Sequence, residues 1–132
     1  MIILNKIAVF ACLWITPAAS QVLDLPSGTQ VALHEVLVDK IGDENWLRFR
    51  FVSPMIDTDQ EHAPSYADLE NDFPHLCVTF ALPYVEDFAL TADKLAISIS
   101  DRVLEFGSSD PDVTQYFEVF RPEGADCIWE GL

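Results

Sequence analysis

Several groups of side chains have the types and spacings from which chemistry is made. His34-Glu35 begins as a zinc-protease helix does, but the second histidine of that motif belongs at position 38, which is Val38, and the segment reads as a strand. His34 is accordingly expected to be a strand residue or cross-strand partner rather than a ligand. Asp57-Thr58-Asp59-Gln60-Glu61, with Asp68 further on, places oxygens at alternate positions as calcium loops do, so Asp57, Asp59, Glu61 and Asp68 are the candidate metal ligands. His62 stands where such a loop needs glycine, and Pro64 disrupts the next stretch. The expectation is a solvated acidic loop, with divalent-cation binding as the alternative.

Asp101, Glu105, Asp110 and Asp112 flank one turn and are expected to form a solvated rim. With 22 acidic residues in the chain, some pair lies close whatever the function, so no acid and base of the glycosidase kind can be nominated. A Gly-x-Ser-x-Gly elbow, a phosphate-cradling glycine loop and a dinucleotide fingerprint are all missing from the sequence. No catalytic residue and no cofactor is assigned. A small hydrolase is a reading only if the fold assembles a site that spacing does not announce.

Cys77 lies on the apolar stripe of an expected helix and Cys127 begins the last expected strand, so a disulfide between them would pin one layer to the other. A redox pair would call for Cys-x-x-Cys spacing. Trp46, Trp129, Tyr116 and Phe117 fall on strands, where most large apolar groups are core. If the helix leaves one sheet face uncovered, Arg48 and Arg50 together with Trp46 and Trp129 form the candidate binding surface, rich in the residue types that anchor interfaces.

Periodicity defines the strands and helix that carry these groups. Gln30 to Val38 and Trp46 to Val52 read as a hairpin around residues 39–45; Leu47, Phe49 and Phe51 alternate with Arg48 and Arg50, and a tight register sets Glu35 beside Arg50. Ser65 with Asp68 resembles a helix cap. Tyr66, Leu69, Phe73, Leu76, Cys77, Phe80 and Tyr84 make one apolar stripe, carried by one helix kinked at Pro74 or by two short abutting ones, with Pro83 ending the regular part. Leu95, Ile97 and Ile99 alternate as a strand that Val103 to Phe106 would continue. Gln115 to Arg121 and Cys127 to Glu130 form a last hairpin around Pro122-Glu123-Gly124. The sum is an α+β domain with a mainly antiparallel sheet of about five strands and one helix, in the order β-β-α-β-β-β.

Lys6, the apolar run Ile7 to Ile15, Thr16-Pro17 and the small residues Ala18-Ala19-Ser20 read as a signal peptide over residues 1–20, cleaved near Ser20. The remaining single domain, 21–132, would be periplasmic or secreted, where a disulfide persists, with no membrane insertion after cleavage. All 22 acidic residues but only six of the seven basic ones lie beyond position 20, for a net charge of −16. That balance disfavours nucleic acid and anionic membrane surfaces, favours cationic partners, and fits a soluble monomer.

Leu33-His34-Glu35-Val36, Trp46-Leu47-Arg48-Phe49-Arg50-Phe51, His75-Leu76-Cys77, Ser100-Asp101-Arg102, Glu105-Phe106-Gly107, Asp110-Pro111, Thr114-Gln115 and Cys127-Ile128-Trp129-Glu130 together resemble a family of short exported bacterial proteins, domain-of-unknown-function family 6497, over nearly all of the chain beyond position 20. The resemblance implies a bacterial, periplasmic protein and carries over no catalytic residue. Members are sometimes labelled acetolactate synthase, which the residues do not support: that enzyme needs a Gly-Asp-Gly diphosphate motif, and this chain has only Gly42-Asp43-Glu44 in a turn. The leading expectation is a non-catalytic domain that binds or supports another envelope protein.

Overall fold

The structure, a computed structural model, describes residues 21–131, so the expected signal segment lies outside the described residues. Six strands form one curled sheet in sequential order: β1 (Val22–Asp24), β2 (Gln30–Ile41), β3 (Glu44–Val52), β4 (Lys94–Ser100), β5 (Gln115–Glu123) and β6 (Asp126–Trp129). β3 and β4 run parallel and every other neighbouring pair is antiparallel. A parallel pair cannot be joined by a tight turn, and here the chain crosses over through a helical layer. That layer comprises α1 (Tyr66–Leu69), α2 (Asp72–Leu76), a π-helical turn (Cys77–Ala81) and α3 (Leu82–Asp87).

The α+β class holds, with two changes to the expected order. β1 is a sixth strand in front; three residues are too short for alternation to register, although Leu23 pairs with Val31 and packs on the core. Val103 to Phe106 does not extend β4. Ser100 donates its hydroxyl to the Arg102 carbonyl at 2.9 Å, and the Arg102 guanidinium grips Asp101 and the Asp112 carbonyl, so local bonds bend the chain off the sheet.

The first hairpin closes more tightly than expected, with Ile41 paired to Glu44 and only Gly42-Asp43 between them. Gly42 takes a φ of 59°, the positive value a two-residue primed turn requires. The Ser65–Asp68 capping box forms as expected. Pro83 does not end the helix. Its ring would press on the carbonyl four residues back in a regular helix, and the wider π turn immediately before it, with the Leu82 N–H donating to the Cys77 carbonyl, lets α3 continue to Asp87.

The core fills the space between the helical layer and one sheet face. Leu47, Phe49 and Phe51 of β3 and Leu95, Ile97 and Ile99 of β4 meet Leu69, Phe73, Leu76 and Cys77. Phe80 and Tyr84 set their rings edge-on to Phe49, at centroid distances of 6.2 and 5.4 Å. Cys77 and Cys127 are joined as a disulfide across 50 residues, tying the helical layer to β6. The buried Asp72 carboxylate accepts from the Ser27 backbone N–H at 3.0 Å and hydroxyl at 2.5 Å, which fastens the turn after β1 to α2.

Candidate functional site

Paired residues in a sheet share a face, so the register defines the side the helices leave uncovered. Glu35 and Asp39 of β2 face the same way as Arg50 and Trp46 of β3, their partners; Ala96 and Ser98 of β4 pair with Arg48 and Arg50, and Ser98 with Phe117 of β5. The β2–β3 ladder shifts between Leu33 and Glu35. The resulting bulge at His34 lets Leu33 and Val36 both turn toward the core while Glu35 meets Arg50 on the uncovered face. The expected Glu35–Arg50 pairing therefore exists, and His34 is the strand residue that makes it possible.

The two arginines differ. Arg50 is only 7% exposed; its guanidinium pairs with Glu35 and donates to the Leu104 carbonyl at 2.5 Å, so it fastens the loop after β4 across the sheet face. Arg48 donates through Nε to Asp39 at 3.1 Å, and its terminal amino groups have no hydrogen-bond partner among the described residues. Its guanidinium carbon lies 5.4 Å from the Trp46 ring centroid and 5.2 Å from that of Phe106. Arg50 reaches the same Phe106 ring at 5.7 Å. Aromatic faces attract guanidinium groups, which orients both side chains without a further carboxylate.

Between these groups lies a cleft of about 190 Å³. Ala96 and Ser98 are its floor, because their short side chains leave the middle of the sheet low. Arg48 and Arg50 flank one side, Phe117 the other, and Phe106 overhangs. Each guanidinium already has a carboxylate beside it, and Glu105 lines the cleft as well, so the arginines leave no excess positive charge there. It suits an acceptor such as an amide carbonyl on the free amino groups of Arg48, with an apolar group between Phe106 and Phe117.

Not every sequence candidate is here. Trp46, Arg48 and Arg50 come together, but Trp129 pairs with Phe120 and so belongs to the helix side of the sheet, at the β6 edge. Among the described residues no three His, Cys, Asp or Glu side chains converge to hold a metal. Asp57 and Asp59 are joined in a local turn, and Asp68 is committed to the Ser65 cap, whose N–H and hydroxyl bonds hold its carboxyl below the ordinary range. Glu105, Asp110 and Asp112 are the solvated rim expected of them. Asp101 is instead buried, held by Arg102, whose own titration it pushes upward.

Phe106 and Leu104 were not legible as site residues, since Val103 to Phe106 reads as strand. The one usable signal was Gly107 directly after Phe106, which marks a turn rather than a continuing strand.

A model described as a family of unknown function (DUF6497) matches residues 10–132. No curated protein and no solved structure matches the chain.

Proposed function

The chain belongs to the DUF6497 family, and from that premise we propose that it is an exported, non-catalytic binding domain of the bacterial cell envelope. Its partner contact is the uncovered sheet face, where a neighbouring envelope protein seats an apolar side chain and a backbone carbonyl in the cleft. The observation that carries this reading is the pairing of Phe117, 60% exposed, with a fixed arginine–aromatic cluster over a low floor. Exposed rings beside oriented guanidinium groups are the composition of interface anchors. Export is supported by the signal-like pattern of residues 1–20 and by the disulfide.

The test is capture of envelope proteins from the native host by wild-type protein and by a Phe117→Ser, Arg48→Ser double variant. Both positions avoid the core, so the variant should keep its Tm and lose at least about tenfold of the recovered partner. Equal recovery by a variant of equal Tm removes this face as the contact. Turnover of a substrate from a broad hydrolase panel, unaffected by the variant, would replace binding with catalysis elsewhere.

A further inference from the structure

A second cleft, of about 270 Å³, opens on the helix side of the sheet where α1 and α2 meet the middle of β5 and the β6 edge. Phe120 is at its base, and Tyr66, Glu70, Glu118 and Trp129 line its walls. It is independent of the uncovered face just described.

Two of its walls are aromatic rings that remain open to solvent, Trp129 at 64% and Tyr66 at 39%. Exposed rings ordinarily retain rotamer freedom, but these are fixed. One oxygen of the Glu118 carboxylate accepts from the Tyr66 hydroxyl, and the other accepts from the Trp129 indole N–H at 2.6 Å. Tyr66 also rests against Tyr116 and Phe73, at centroid distances of 5.9 and 6.2 Å. Behind the indole, the Gly131 backbone comes so close that an added Cβ would stand 3.1 Å from a ring carbon. The disulfide partner Cys127 lines the same cleft and ties its strand wall to the helical layer.

The charges around these rings have one sign. Glu118 and Glu70 are both in the cleft, no Lys or Arg lines it, and the chain beyond position 20 carries a net charge of −16. Fixed aromatic faces with carboxylates behind them attract a cation through the ring quadrupole and the local field together. Glu118 spends an acceptor position of each oxygen on Tyr66 and Trp129, which reduces what the cleft can offer to a primary ammonium with three N–H donors. A quaternary ammonium has no donors to satisfy and presents a broad, weakly hydrated surface to the rings.

We propose that this cleft is a binding site for a quaternary ammonium head group. Tyr66 and Trp129 form its aromatic walls, Glu118 holds the two rings in place and supplies counter-charge, and Glu70 adds a second carboxylate.

The test is a titration of the purified, disulfide-bonded protein with choline, followed through the indole N–H resonances of Trp129 and Trp46. Dimethylbutanol, the uncharged carbon isostere of choline, and sodium chloride at matched ionic strength are the controls. The expected result is a saturable shift confined to Trp129 with choline. Glu118→Gln, which keeps the shape and removes the charge, should weaken binding about tenfold, and Trp129→Phe should reduce the binding measured by calorimetry by a similar factor. Glu70→Gln, in the exposed turn between α1 and α2, should weaken it about threefold and keeps the test decisive if Glu118→Gln does not fold. Three results would overturn the proposal: no saturable shift with choline, equal binding of choline and dimethylbutanol, or a saturable shift produced only by a disaccharide of N-acetylglucosamine.

Discussion

The two faces of strand β3 are built from alternating residues of one short segment and are held by different forces. On the covered face Leu47, Phe49 and Phe51 are at most 1% exposed and meet the helical layer. On the other, Trp46, Arg48 and Arg50 depend on carboxylates of β2, on the Phe106 ring and on a backbone carbonyl of the loop after β4. Removing hydrocarbon from water is non-directional, so many apolar residues of suitable volume would serve on the first face. Ion pairs and ring contacts are directional, and the second face works only in one register, which the bulge at His34 provides. The covered face thus supplies stability, and the uncovered face supplies a defined surface that stability alone does not require.

The largest effect that would sharpen this contrast is Phe49→Ala, which should cost about 3–5 kcal/mol in chemical denaturation, because the ring is wholly buried against Phe80 and Tyr84. Removing the disulfide by Cys77→Ser with Cys127→Ser should cost about 4 kcal/mol, since it opens a 50-residue loop in the unfolded chain.

On the uncovered face the two arginines should part company. Arg50→Ala leaves Glu35 and the Leu104 carbonyl without their buried donor and should cost about 2–3 kcal/mol. Arg48→Ala removes a partly exposed ion pair and should cost less than about 1 kcal/mol. Equal losses at the two positions would break the distinction between a fastening and a presented arginine.

The smallest effect is one of pH. Lys94, donating to Glu130 at 2.6 Å, holds that carboxyl below its ordinary range. A depressed folded pKa contributes stability above the unfolded value that is lost as pH falls through the folded one. Glu130→Gln should therefore narrow the stability difference between neutral and acidic pH, measured as Tm, and an unchanged difference would remove this pair from the acid response.

Much of the fold can be read from β3 outward. Alternation in Leu47 to Phe51, the stripe from Leu69 to Tyr84 and the Ser65 cap each have one physical solution, and the structure adopts it. Three features had no local signal. The parallel pairing of β3 with β4 is decided by where the helical layer can pack, not by either strand. The continuation of the helix past Pro83 depends on the π turn just before it, which no residue type in that segment announces. The Phe106 overhang depends on Arg50 and Arg102 reaching backbone carbonyls at Leu104 and Asp112, contacts made between segments distant or only loosely patterned in sequence. The candidate site divided for a similar reason: Trp46, Arg48 and Arg50 alternate on one strand and stay together, whereas Trp129 belongs to another strand whose register sends it to the opposite face.

Phe117 and Phe88 allow the binding role of the uncovered face to be tested with exposure held constant, being 60% and 62% exposed, the first on the uncovered sheet face and the second just after α3 in the helical layer. A photo-crosslinking residue placed at each position in turn, in the native host, should join the protein to one discrete envelope partner from position 117 and to none from position 88. Adducts from position 88 alone, or the same diffuse adducts from both, would contradict the assignment of the uncovered face as the binding surface.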